Sequence, residues 1–274
     1  MNEQPSVLLE LDRVSYTYDD GPCALREISV RLQSGEKVAL LGNNGAGKST
    51  FFLCCNGVLR PCSGTLRLNG RALGGGKKDM TLLRRSVGIV FQDPDSQIIA
   101  STVEAEVGFG PLNLGMSEAE TRARCDEALA AMNLADFRSR PPHYLSGGEK
   151  KRVSIADILA MRPGILLMDE PTASLDCTHT LQLEDTLARL HGEGMGVVVS
   201  THDVDFAWRF ADRVLVFSDG QLLADGDSER VFADDALLRA AGLRKPVIFE
   251  LSQALGLSPV PRTMEEFKCQ IRRS

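Results

Sequence analysis

The chain has 274 residues, 43% hydrophobic and 25% charged, with a formal net charge of -6. That suits one large globular domain, with or without an appendage, and the acidic balance gives no support to nucleic-acid binding. The longest apolar candidate, Val153 to Met168, is broken by Asp157, Arg162 and Pro163, and the first residues, Met1-Asn2-Glu3-Gln4-Pro5, are wrong for a secretory signal, so any membrane role is expected to be peripheral.

In chain order, Leu8 to Tyr18 and Glu27 to Leu32 alternate as strands, and Lys37 to Leu41 is a short buried-type strand running into a glycine loop. A helix is expected from Gly47 to about Asn56-Gly57, and a strand from Thr65 to Leu68 between the turn pairs Ser63-Gly64 and Asn69-Gly70. Gly74 to Lys78 reads as a surface loop, and Val87 to Phe91 as a buried strand ending at Gln92-Asp93-Pro94. The pattern is then helical to about Leu159, with a capping box of Ser117 and Glu120 opening a helix through Met132. Strands Ile165 to Met168 and Val197 to Ser200 alternate with helices at 178–191 and 203–211. Arg213 to Phe217 and Gln221 to Ala224 pair about Asp219-Gly220. From about Ala233 the chain is helical, interrupted by Pro246, Pro259 and Pro261, and reads as a small appendage. No internal repeat is evident.

The seven cysteines are an odd number without a CxxC pair, so reduced structural thiols are expected; Cys54-Cys55 falls on an apolar helix. His143, His179, His191 and His202 are scattered, and no His/Cys cluster suggests a transition-metal site.

Chemistry concentrates in four places. Gly42-Asn43-Asn44-Gly45-Ala46-Gly47-Lys48-Ser49-Thr50 fits the phosphate-loop pattern, between a strand and a helix. Glycines let backbone N–H groups curl around phosphates, and the helix N-terminus adds partial positive charge. Lys48 reaches the β- and γ-phosphates of ATP, and Ser49 offers a hydroxyl to Mg²⁺. Ile165-Leu166-Leu167-Met168-Asp169-Glu170 is a buried strand ending in two carboxylates, at the sheet edge where ligands bind in α/β proteins. There Asp169 is placed for Mg²⁺ and Glu170 for the attacking water. Leu145-Ser146-Gly147-Gly148-Glu149 is a second capping box, whose two glycines leave bare N–H groups for an anion. A later strand ends in Thr201-His202.

Taken together and in this order, these motifs resemble the ABC-type ATPases over about residues 7 to 230. The resemblance implies an α/β fold: a P-loop (RecA-like) core, an N-terminal antiparallel β subdomain, an α-helical signature subdomain at about 93–160, and a C-terminal helical extension. The ATP-binding domain would be residues 1–232 and the extension 233–274. It implies two ATPase domains packed head to tail, with Ser146, Gly147, Gly148 and Glu149 of one covering the ATP held by the other. It further implies that Gln92 senses Mg²⁺ and the transmembrane partner, and that Ala173-Ser174-Leu175-Asp176 crosses the dimer interface through Asp176. His202 would contact the γ-phosphate and position the water. Tyr18, with Tyr16 as competitor, would stack on adenine. Two residues depart from the pattern: Asn43, where many relatives have proline or histidine, and Asp157, where a small residue is common.

Phe91-Gln92-Asp93-Pro94-Asp95-Ser96-Gln97, Thr102-Val103-Glu104, Gly108-Phe109-Gly110-Pro111, Asn113-Leu114-Gly115 and Gly242-Leu243-Arg244-Lys245-Pro246 are similar to energy-coupling-factor importers. Within that branch, Phe51-Phe52-Leu53 and Asn56 to Pro61 with Ser63-Gly64 look most like cobalt-transport ATPases. The branch implies a homodimer, or a pair with a paralogue, on the cytoplasmic face of the cell (inner) membrane. It would lie beneath a transmembrane coupling subunit and a cargo-capturing membrane subunit, without touching cargo. Nickel or vitamin import is the alternative. A soluble ABC ATPase acting on nucleic acid or ribosomes is the rival from another class; a single ATPase copy and the acidic balance speak against it.

Overall fold

The computed structural model describes residues 7–19, 21–173 and 175–272. Ser174, in the loop assigned to the dimer interface, lies outside them. Strands β1 (Val7–Thr17), β2 (Cys23–Gln33), β4 (Ser63–Leu68) and β5 (Arg71–Ala72) form an antiparallel sheet in the order β2-β1-β4-β5. Strands β3 (Lys37–Leu41), β6 (Val87–Val90), β7 (Ile165–Asp169), β8 (Gly196–Thr201), β9 (Arg213–Ser218) and β10 (Gln221–Asp227) form the second sheet, in the order β10-β9-β3-β8-β7-β6. Its strands run parallel except the edge strand β10. The sequence accounts for the difference. β7 and β8 are buried along their whole length and apolar nearly throughout, as a sheet covered on both faces requires, whereas β10 keeps one side exposed.

Helix α1 (Lys48–Asn56) lies between the sheets. Phe51 and Phe52 are fully buried in one apolar cluster with Leu9, Leu11, Leu215 and Phe217, each such ring contributing about 1.5–3 kcal/mol by leaving water. Helix α2 (Lys77–Ser86) is an addition to the sequence reading: Lys77 and Lys78, expected in a loop, open a helix. Half of its residues are charged and only Leu83 is fully buried, with Met80 packed beside it, so the apolar stripe is narrow. Helices α3 (Val103–Asn113), α4 (Glu118–Ala131) and α5 (Gly147–Ala160) make a lobe. The expected capping box of Ser117 and Glu120 forms at the start of α4.

Helices α6 (Cys177–Gly192) and α7 (Val204–Phe210) follow β7 and β8. The C-terminal helices are α8 (Ser228–Ala233), α9 (Asp235–Ala241), α10 (Val247–Leu255) and α11 (Met264–Ile271). Leu238, Ala241 and Phe249 of this segment belong to the same buried cluster as Trp208, Val199 and Leu166. Among the described residues no helix is long and apolar enough to cross a membrane.

Candidate active site

The phosphate loop runs from the C-terminal end of β3 into α1. Two of its three glycines, Gly42 and Gly47, are required by close backbone approach. A Cβ on Gly42 (φ +154°) would come within 2.4 Å of the Phe217 carbonyl oxygen, and one on Gly47 (φ +102°) within 2.6 Å of that of Ala24. Gly47 begins α1 without any side-chain cap, so the first amides of the helix are left for a ligand. Lys48 is only 7% exposed. Its ammonium donates to the carbonyls of Gly42 (2.6 Å) and Asn43 (3.3 Å), and among the described residues no carboxylate pairs with it. A buried cation with only carbonyl partners, beside open helix amides, fits an anionic phosphate chain.

The cavity above this loop is about 530 Å³ and is shared by Tyr18, Gly42's neighbours Asn43 to Thr50, Gln92, Asp169 and Glu170. Tyr18 rather than Tyr16 lines it; the Tyr18 hydroxyl lies 3.1 Å from Thr50 Oγ1. Tyr16 meets the Tyr18 ring edge-on at 4.9 Å and packs on the apolar cluster below.

Asp169 and Glu170 are each 8% exposed, so both need partners. Ser200, next to them on β8, supplies some. Its hydroxyl donates to Asp169 Oδ1. The Glu170 amide bonds to the Ser200 carbonyl at 3.0 Å and approaches its hydroxyl at 3.2 Å. Glu170 has φ +43°, a conformation uncommon outside glycine, which aims a carboxylate from a strand end toward the cavity. His202 follows β8 and sets Nδ1 3.0 Å from Glu170 Oε2, with the ring otherwise open to solvent.

Ser146, Gly147, Gly148 and Glu149 stand apart from this cavity. Ser146 Oγ accepts from the Glu149 amide, and the Glu149 carboxylate accepts from the Ser146 amide (2.7 Å) and hydroxyl (2.8 Å). Those bonds hold the Glu149 carboxyl below the usual carboxylate range. Gly147 has open space where a Cβ would be. It joins Gln92, Lys150 and Leu175 around a smaller cleft of about 370 Å³. Asp176 caps α6 through the His179 amide (2.8 Å), which lowers its carboxyl's pKa. A larger cleft, about 720 Å³ between α4, α5 and α6, holds none of the phosphate-loop residues. Size is therefore a poorer guide here than convergent polar chemistry.

Several residues escaped sequence reasoning. Lys151 donates to the carbonyls of Phe91 (2.8 Å) and Gln92 (3.0 Å), fixing the root of the glutamine loop. Burial lowers its pKa to about 8. Ser200 had a signal, a hydroxyl in the apolar run Val197-Val198-Val199. Arg26 and Gly220 border the cavity, joined by a bond from the Arg26 amide to the Gly220 carbonyl (2.8 Å). Asp157, unexplained by sequence, accepts from Gln97 Nε2 at 3.3 Å, and burial pushes its carboxyl up to about 7.

Residues 25–173 match the family model described as ABC transporter. The chain is 48% identical over 271 residues to the cobalt import ATP-binding protein CbiO of Rhodobacter capsulatus, covering 96% of this chain and 97% of that one. The chain belongs to the ABC transporter family. This ABC transporter protein is also 45% identical to the energy-coupling factor transporter ATP-binding protein EcfA of Methanocaldococcus jannaschii, over 90% of this chain and 89% of the other. Among solved structures it is similar to CbiO1 of Clostridium perfringens, part of the transporter complex cbiONQ, with TM-score 0.75, 38% identity and coverage of 90% and 99%. A dimeric ATP-binding cassette bound to ADP and phosphate superposes with TM-score 0.72 at 31% identity, covering 81% of this chain and 99% of that one. This ABC transporter subunit is an ATP-binding ATPase of the energy-coupling-factor type, and its two sheets and helical lobe are those of the ABC cassette.

Proposed function

We propose that this ATPase powers cobalt-ion import for cobalamin synthesis. It would act as a homodimer, or with a paralogue, on the cytoplasmic face of the cell (inner) membrane, beneath a coupling subunit and a cargo-capturing subunit. The observation that carries the ATPase chemistry is the meeting of Lys48, Asp169 and Glu170 in one cavity. The cargo rests on the near full-length similarity to the Rhodobacter capsulatus protein. Similarity to EcfA supports a second reading, the same ATPase in a nickel or vitamin importer.

In this reading Tyr18 stacks on adenine, and the loop amides of residues 43–50 and Lys48 hold the phosphates. Ser49, Asp169 and Gln92 would hold Mg²⁺, which neutralises charge on the phosphate oxygens. Glu170 orients a water for in-line attack on the γ-phosphorus, held by His202 through Nδ1. The water oxygen bonds to phosphorus as the bond to the ADP oxygen breaks, and the water proton passes to the Glu170 carboxylate or a phosphate oxygen. Rate comes from positioning and charge stabilisation. Ser146 to Glu149 would cover the partner subunit's ATP, and Asp176 would lie on the interface between them.

The test is to purify the tagged chain from native membranes in mild detergent, identify its partners by mass spectrometry, and measure radiolabelled cobalt uptake with and without it. Membrane partners with loss of cobalt uptake support the proposal. A vitamin-binding membrane partner, or unchanged cobalt uptake, transfers the role to the second reading. Recovery without any membrane partner overturns both.

A further inference from the structure

The side chain of Asn43, the second residue of the phosphate loop, reaches the C-terminal segment. Its Nδ2 donates to the carbonyl of Ala241 at 3.2 Å. Ala241 ends α9, and the last carbonyls of a helix lack partners within it. Asn43 thus caps a helix nearly two hundred residues away in sequence. The contact is close-packed as well as polar. Gly242 turns the chain at φ +65°, and a Cβ there would stand 2.6 Å from Asn43 Nδ2.

The residues just beyond Gly242 run to a different catalytic element. Arg244 pairs with Asp205 Oδ2 at 2.8 Å, and the Val247 amide donates to Asp205 Oδ1 at 2.6 Å. Asp205 lies in the first turn of α7, three residues after His202. Leu243 packs on the main core between these contacts. One seven-residue segment, 241–247, therefore touches the phosphate loop at one end and the helix that follows His202 at the other. Asn43 also serves the loop's interior, since its carbonyl is one of the two that hold Lys48.

We propose that Asn43 is a positioning residue through which segment 241–247 holds the phosphate loop in register with His202. This rests on the ATPase reading above and adds a second body to it: the C-terminal segment is part of the catalytic frame. The groups that bind ATP, Lys48 and the loop amides, remain when the tether is lost. What loosens is the placement of His202 against the bound γ-phosphate.

Steady-state hydrolysis and amide hydrogen exchange with MgATP test this on the full-length chain. Asn43→Ala is expected to lower kcat about three- to tenfold, the scale of one neutral hydrogen bond, with less than about twofold change in KM. Asn43→Gln, which keeps an amide donor, is expected to recover part of the loss. Gly242→Ala, which strains the turn and presses on Asn43 from outside the loop, is expected to lower kcat in the same direction. In the unmodified protein MgATP slows exchange in both 42–50 and 241–247, and in Asn43→Ala only in 42–50. If MgATP protects 42–50 but leaves 241–247 unchanged in the unmodified protein, or if Asn43→Ala keeps the normal kcat, the tether is overturned while the ATPase reading stands. If 42–50 gains no protection and no hydrolysis occurs, the ATPase reading falls and takes the tether with it.

Discussion

Nδ1 of His202 lies 3.0 Å from Oε2 of Glu170, so the ends of the adjacent parallel strands β8 and β7 are joined by a side-chain bond at the cavity. The carboxylate is nearly buried while the imidazole is open to solvent. His202 thus restrains Glu170 from the solvent side of the cavity.

Glu170→Gln should retain ATP binding and lower hydrolysis by at least about a hundredfold, the usual scale for a positioned base. His202→Ala should fall in the same direction, and the double variant should be little worse than the worse single one, because paired groups are non-additive. Single-turnover hydrolysis beside nucleotide binding reads both quantities. Normal turnover in Glu170→Gln would remove that residue from the water-directing role.

The two aromatic residues near the cavity are separable. Tyr18→Ala should weaken ATP binding about tenfold, by analogy with base–aromatic stacking of about 1–3 kcal/mol. Tyr16→Phe should leave affinity unchanged, since Tyr16 packs on the apolar cluster and its ring remains. Calorimetric titration reads the loss, and an affinity unchanged in Tyr18→Ala would contradict the assignment to Tyr18.

Asp157 gives a pH dependence of defined sign. Its carboxyl titrates at about 7 in the folded chain because burial disfavours the charge, with Glu106 nearby adding to the rise and Gln97 opposing it. The unfolded carboxyl titrates near 3.8. Between those values the folded state binds more protons, so this group's contribution to stability is greatest in acid and declines as pH rises toward about 7. Asp157→Asn keeps an acceptor for Gln97 without the charge. It should raise the melting temperature by a few degrees at pH 8 and by progressively less toward pH 5. A gain that is the same at both pH values would show that ionisation is not its source.

Lys151→Met should keep the apolar stem and strip the donor from the carbonyls of Phe91 and Gln92. Leaving partly buried acceptors unmet costs about 1–3 kcal/mol, to be read from the midpoint of urea unfolding. A midpoint unchanged by the substitution would mean that water replaces the ammonium at little cost.

Much of the frame was legible because strong local signals agreed with the tertiary structure. Lys37 to Leu41 is a strand with the bounds its apolar run suggests, and both capping boxes, at Ser117 and Ser146, form as their spacing implies. Phosphate-loop residues and the carboxylates of β7 converge because β3 and β7, on either side of β8, release their loops at the same end of a parallel sheet. Helix α2 was hidden because it is short, half of its residues are charged, and it opens directly after Gly74-Gly75-Gly76, a run with turn chemistry. The roles of Lys151 and Ser200 were hidden for another reason: each bonds to a group distant in sequence, and residue type alone does not identify such a partner.

Trp208 is the single tryptophan of the chain and lies on α7, the helix after His202. Phe249 meets its ring at 4.9 Å, the Arg262 guanidinium stands 3.9 Å above it, and its indole N–H donates to the Pro261 carbonyl at 2.9 Å. All three partners come from the C-terminal segment. The tryptophan fluorescence of this protein therefore originates at one seam, between the helix that follows His202 and the C-terminal helices. Unseating that segment would shift the emission toward the red, giving an optical signal of its docking without any attached dye.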